Sequence, residues 1–218
     1  LDWRIHQLKI LKKTIKKYEE NLVWALRDDL GKSEFEAYVS EINMVLTELS
    51  GAIKNLPKWA EIRSAEGGGL IQYPGKLETH VDPLGVVLLI LPWNYPVQMV
   101  FSPLIAAVAA GNCVVVKPSN LAPKTEEIIQ TIIRETFEEG HVSVFTGGAE
   151  VAQELLKEKF DHIFFSGTSE HGKYVMKAAA EHLTSVTLQL KGKNPCIVDE
   201  SADIRIAAKH IIWGKCLN

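Results

Sequence analysis

Ile163-Phe164-Phe165-Ser166-Gly167-Thr168-Ser169-Glu170-His171-Gly172-Lys173 passes from an apolar run, through glycine and hydroxyl residues, into a helix-forming pattern. The first three residues read as a strand, and the hydroxyls can cap the helix that follows. Glycine lets backbone approach a phosphate, and free N–H groups at a helix start attract negative charge. The turn therefore predicts a phosphate-bearing ligand, against the plainer reading of a capped strand–turn–helix connection. Its letters nearly spell the P-loop G-x-x-x-x-G-K-[ST], but Tyr174 stands where that loop needs a small hydroxyl for magnesium.

The same grammar extends on both sides of this turn. Strand-like runs at Val86–Leu91, Val114–Val116, Val142–Phe145, Ile163–Phe165, Val186–Leu190 and Cys196–Val198 are separated mostly by helical segments, including 97–110, 124–139, 149–159 and 169–182. That alternation predicts an α/β fold with a mostly parallel sheet, helices on both faces, and ligands at the carboxyl ends of the strands. Pro83 to Val116 carries no charged side chain, yet Pro92, Pro96, Pro103 and Gly111-Asn112 cut it into pieces too short to cross a bilayer as one helix. It reads as buried core, and no membrane segment is expected.

Upstream the pattern is different. Ile5, Leu8, Leu11, Ile15, Leu22 and Leu26 recur at helical spacing to about Arg27, and Gly31 ends this amphipathic helix. Ser33 is the expected N-cap of a second helix, Glu34 to Leu56, closed by Pro57. After Gly67-Gly68-Gly69, Leu70 to Val81 alternates loosely around Pro74-Gly75 as a hairpin or extended arm. The chain starts in mid-pattern without a methionine, from which a missing upstream part is expected.

With 218 residues, 46% of them hydrophobic, the chain can bury a full-sized core. Its formal charge of -3 offers no excess positive potential to a polyanion, so nucleic acid is not an expected partner. Cys113, Cys196 and Cys216 lie far apart without CxxC pairing, which argues against a disulfide framework or a metal site. No secretory signal is visible, and a reducing, cytoplasmic setting is expected.

Other strand ends carry candidate groups. Pro92-Trp93-Asn94-Tyr95-Pro96 places an amide between two rigid prolines, suited to stabilising an oxyanion or simply to satisfying a turn. Val116-Lys117-Pro118-Ser119-Asn120 offers an ammonium and a hydroxyl to ribose hydroxyls or a phosphate, or only a solvated charge. Gly147-Gly148 either approaches a ligand or turns the chain.

Taken in order, PWNYP, AAGN, VVVKPS, FTGG, FFSGTSEHGK and TLQLKGKNP resemble the aldehyde dehydrogenase superfamily, with the class 3 (fatty and aromatic aldehyde) branch fitting best. LGKSEFEAYVSEI, MKAAAEHLTSVTLQL and NPCIVDES extend the resemblance over essentially the whole chain. It implies a Rossmann-like domain binding NAD or NADP, an aldehyde substrate, and a homodimer when the full chain is present. The implied cofactor contacts are Lys117, Ser119 and Asn120 at the ribose, Gly148, and Gly167, Thr168, Ser169 and Gly172 at the dinucleotide, with Leu190 near the nicotinamide. Asn94 is the implied oxyanion donor, and Gln189 occupies the position of the general base.

The sequence also departs from the family pattern. Gln189 replaces the glutamate of LELGGK and cannot accept a proton from water, Lys191 replaces a glycine, and Asn120 replaces a ribose-binding glutamate. The last change removes a repulsion against a 2′-phosphate and so predicts tolerance of NADP. The nucleophile of the family's N-x-G-Q-x-C motif is not reached by Trp213-Gly214-Lys215-Cys216-Leu217-Asn218, and Cys216 falls too early to replace it. Cys113 and Cys196, in apparent strands, are expected to be buried and inert.

The expected organisation is N-terminal helices over 1–66, an oligomerisation arm over 67–83, a dinucleotide-binding domain over 84–190, and the start of a truncated catalytic domain over 191–218. The chain is then the cofactor-binding part of an aldehyde-oxidising enzyme and inactive alone. The alternative is a noncatalytic protein of the same fold that binds a dinucleotide or pairs with an intact homologue.

Overall fold

The computed structural model describes residues 1–65 and 74–218. The first expected helix is two: α1 (Asp2–Lys17) and α2 (Glu19–Leu30) meet at Tyr18, where φ and ψ leave the helical region. The junction is tied down by Glu135, whose carboxylate accepts hydrogen bonds from Lys17 Nζ at 2.7 Å and Tyr18 Oη at 2.7 Å. Gly31 ends α2 with φ of 69°, in the left-handed region, and Ser33 Oγ accepts from the Glu36 N–H as a cap.

The second expected helix is α3 (Glu34–Ala37), a π-helical stretch (Tyr38–Ile42) and α4 (Asn43–Trp59) in succession. Pro57 does not close it. In the final turn a missing N–H forfeits only one bond, and the helix runs on to Trp59. The π-helical widening accompanies the burial of Glu41 and Ile42 side by side.

The arm is β1 (Arg63–Ser64) paired antiparallel with β2 (Glu78–Thr79), and Ala65 N donates to Leu77 O. Its partner strand thus lies upstream of the three glycines, earlier than the expected hairpin. Gly67–Gly69 and residues 70–73 of that hairpin lie outside the described residues.

Beyond the arm, β3 (Val86–Ile90), β4 (Cys113–Lys117), β5 (Val142–Val144), β6 (His162–Gly167) and β7 (Ser185–Leu190) form one parallel sheet in the order β5-β4-β3-β6-β7. The crossovers contain α5 (Pro96–Ala110), α6 (Pro123–Thr136), α7 (Ala149–Leu155) and α8 (Ser169–Ala180). Central β3 is apolar on both faces, as a doubly covered parallel strand must be. Val87 and Leu89 join a large core with α1, α2, α4, α5 and α6, while Leu88 and Ile90 face Phe165, Val175 and Ala179 on the other side.

Two expectations fail near the C-terminus. Cys196–Val198 is not a strand; among the described residues no neighbouring strand pairs with it, and Ile197 is 85% exposed. Cys196 is consequently exposed, whereas Cys113 in β4 is half-buried. A further helix, α9 (Ile204–Cys216), is capped by Asp203 Oδ1, which accepts from the Arg205 and Ile206 N–H groups. Among the described residues no helix is long and apolar enough to cross a membrane, and no cluster of metal-ligating side chains occurs.

His141, just before β5, sits edge-on to Trp3 and Phe137, with neither ring nitrogen hydrogen-bonded among the described residues. Burial lowers its pKa, against a smaller opposite pull from the Asn112 backbone and Glu138. Below the unfolded value of about 6.5, the folded state therefore binds fewer protons than the unfolded state. Its contribution is intact above that pH and is lost as pH falls toward the depressed folded value. Urea melts from about pH 7 to pH 5 should show this loss, and His141→Phe should flatten the slope; an unchanged slope would refute the assignment.

Candidate functional site at the carboxyl edge of the sheet

Parallel strands in one sheet bring their carboxyl ends to one edge, so the residues after β3, β4, β5, β6 and β7 are neighbours there. At β4, Lys117 is only 5% exposed and its Nζ donates to Pro118 O at 2.8 Å. Burial lowers its pKa, while Glu126 and Glu150 act in the opposite sense. Ser119 Oγ accepts from the Leu121 N–H, and Asn120 is exposed at the turn.

At β5, Gly147 has φ of 130°, a backbone conformation reserved for glycine, and its N–H donates to Glu126 Oε1 at 3.1 Å. The Gly148 N–H donates to Glu150 Oε1 at 2.9 Å. Glu126 is 9% exposed and its pKa is raised by burial; Glu150 is lowered by backbone hydrogen bonds from itself and Gly148.

At β6, the chain turns into α8 at Thr168, whose Oγ1 accepts from the His171 N–H. Gly167 pairs in register with Leu190, and Ser166 with Gln189. A methyl group on Gly167 would stand 2.6 Å from Phe165 Cζ, and one on Gly172 2.9 Å from Leu190 Cδ2. Gly172 thus lets the first turn of α8 pack close over Leu188 and Leu190 of β7, while Gly167 leaves room for the Phe165 ring of its own strand. Gln189 and Leu190 are exposed at the end of β7.

At β3, Asn94 is half-buried, and its backbone carbonyl accepts from Lys32 Nζ at 3.4 Å. Lys32 forms a buried ion pair with Glu41 at 2.6 Å and lies over the Tyr95 ring, 4.4 Å from its centroid. Glu41 Oε2 in turn accepts from the N–H groups of Val97 at 2.7 Å and Gln98 at 3.3 Å, the start of α5. Burial pushes the Glu41 carboxyl up, partly offset by Lys32 and these N–H groups.

The helix starts at this edge differ in their charge environment. That of α5 is answered by Glu41, and that of α6 by Asp29, which accepts from Lys124 N, Thr125 N and Thr125 Oγ1. Ahead of short α7, Glu126 and Glu150 occupy the glycine N–H groups. At α8, among the described residues, the N–H groups of Ser169 and Glu170 have no protein acceptor, and the same holds for Ala149 and Val151 at short α7. The acid in that first turn, Glu170, is exposed.

The structure thus gathers Lys117, Ser119, Asn120, Gly148, Gly167, Thr168, Ser169, Gly172, Gln189, Leu190 and the Asn94 turn along one sheet edge. Sequence reasoning missed Lys32, Glu41, Asp29 and Glu126, because each acts on a partner distant in the chain. The signal available was weak: a lysine directly after the helix-ending glycine, and a glutamate beside the core position Ile42.

A doubly covered parallel sheet of this order defines a doubly wound α/β protein, a class whose ligands sit at the carboxyl edge. The chain belongs to the aldehyde dehydrogenase family, whose pattern matches residues 2–218. It is 45% identical over its whole length to the dimeric NADP-preferring aldehyde dehydrogenase of Canis lupus familiaris, and covers 48% of that protein. It is 43% identical to the 4,4'-diaponeurosporen-aldehyde dehydrogenase of Staphylococcus aureus, covering 47% of it. The chain therefore spans about half the length of these curated relatives. A substrate-bound structure of Staphylococcus aureus AldH superposes with a TM-score of 0.95 at 43% identity, over 99% of this chain and 47% of that one.

Proposed function

We propose that this chain is the dinucleotide-binding part of a class 3 aldehyde dehydrogenase, a cytoplasmic and dimeric enzyme that oxidises an aldehyde to a carboxylic acid with a nicotinamide dinucleotide. The observation that carries this reading is the α8 start, where the Ser169 and Glu170 N–H groups face the sheet edge without an acceptor while α5 and α6 meet carboxylates. A pyrophosphate supplies the missing negative charge there. The turn suits it chemically, since its glycine and hydroxyl residues let backbone N–H groups come close to a phosphate. Lys117 and Ser119 hold the adenosine ribose, with Asn120 at its margin.

The nicotinamide, when bound, accepts hydride from the substrate carbon. Of this chain's own residues, Asn94 donates its amide to the developing oxyanion, held in place by Lys32 on its backbone carbonyl. Gln189 orients water without taking its proton, which leaves product release without a base. Lys191 adds a charge after Leu190 at the nicotinamide end. The 218 residues alone do not oxidise aldehydes: Cys113 opens β4 at the opposite edge of the sheet, and Cys196 and Cys216 lie exposed beyond β7.

Fluorescence titration of the chain with NADH tests the reading. Saturable binding is expected, weakened about tenfold or more in Lys117→Ala through loss of a charged hydrogen bond. Binding indifferent to that substitution, or aldehyde-dependent NADH formation by the chain alone, would contradict it.

A further inference from the structure

The Asn120 substitution alone argues for tolerance of a 2′-phosphate, but the packing around Lys117 argues the other way. Lys117 is a buried cation at the ribose corner, at the end of β4 beside β5, and the two glycines that follow β5 each hold a carboxylate, from Glu126 of α6 and from Glu150 just inside α7; both carboxylates act on Lys117 through their charge. Glu126 is fixed there: its Oε1 holds the Gly147 N–H at 3.1 Å, and the residue is 9% exposed. Glu150 is fixed likewise by the Gly148 N–H at 2.9 Å.

A groove of about 440 Å³ adjoins Glu150, with walls from Phe145, Val151 and Leu155. Its charged rim is Glu150, Glu154 and Glu158; Glu154 is neutralised by Lys157 at 2.6 Å. The corner therefore carries one buried positive charge against two anchored negative ones, with a further acid, Glu158, on the rim. Neutral hydroxyls can donate to carboxylates and accept from Lys117, whereas a phosphate monoester can only be repelled by the carboxylates.

Resting on the dinucleotide reading above, we propose that Glu126, assisted by Glu150, is a specificity-determining residue that makes the Lys117 corner take the free 2′,3′-diol of NAD and reject the 2′-phosphate of NADP. Glu126 thereby replaces, from the first turn of α6, the discrimination that Asn120 does not supply.

The test titrates the 218-residue chain with NADH and with NADPH, each followed by cofactor fluorescence, alongside Glu126→Gln and Glu150→Gln. The chain itself should favour NADH by about tenfold or more. Glu126→Gln keeps the side-chain oxygen for Gly147 and should bring the two affinities within about threefold, mainly by tightening NADPH. Glu150→Gln, on an exposed residue that leaves the core untouched, should move the ratio the same way by less. Equal affinities in the unmodified chain, or a ratio unmoved by both substitutions, overturn the inference while leaving the dinucleotide reading standing. Binding of neither cofactor overturns the dinucleotide reading and this inference with it.

Discussion

Replacing Glu41 with alanine is expected to destabilise the protein by about 3–5 kcal/mol, measured by urea denaturation at neutral pH. Glu41 is wholly buried and serves two charges at once: the Lys32 ammonium at 2.6 Å and the N–H groups of Val97 and Gln98 at the start of α5. Removing it leaves a buried cation without its anion and two helix-start donors without an acceptor. The accompanying double variant, Lys32→Met with Glu41→Leu, removes the orphan charge and should recover part of the loss. Recovery should remain incomplete by about 1–3 kcal/mol, because the two N–H groups stay unanswered. A cost below about 1 kcal/mol for Glu41→Ala would show that solvent replaces the pair, contradicting its burial.

Phe101→Ala is expected to cost about 3–5 kcal/mol as well, by a different route. Phe101 lies on α5 with no exposed surface, in a core that also contains Leu8 of α1, Leu22 of α2 and Leu49 of α4 together with Val87 and Val116 of the sheet. A cavity there loosens the N-terminal helices and the sheet together. Unfolding of both parent and variant should therefore follow one cooperative transition, seen identically by far-ultraviolet dichroism and tryptophan fluorescence. Two separated transitions, with only one shifted by the substitution, would show that the helices and the sheet do not share a core.

The sheet was largely legible because strands covered on both faces need near-continuous apolar runs, and glycine and proline mark where those runs stop. Val86–Leu91 and Val114–Val116 meet both conditions, and they pair in register as β3 and β4. Cys196–Val198 is also an apolar run but has no neighbour to pair with among the described residues, in keeping with a strand forming only where a ladder exists. The break at Tyr18 was illegible because the apolar spacing runs through it undisturbed; it is fixed by Glu135, distant in sequence.

The site divides in the same way. The placement of Gly167, Gly172 and Lys117 at the carboxyl edge was readable, since glycines after strands and a lysine at a strand end are local signals. Lys32, Glu41, Asp29 and Glu126 were not, since a buried charge is recognisable only from its partner. Asp29 meets Thr125 across 96 positions, and Glu41 meets Val97 across 56. Two of these distant acids, Glu41 and Asp29, answer the starts of α5 and α6.

Amide hydrogen exchange with and without NAD tests the central claim most directly. The account predicts slower exchange confined to the carboxyl edge, strongest over Ser166–Gly172 and present at Lys117–Asn120, with the opposite edge around Gly111-Asn112 unchanged. Protection centred elsewhere, for example on the exposed α9, or no protection at saturating NAD, would contradict it.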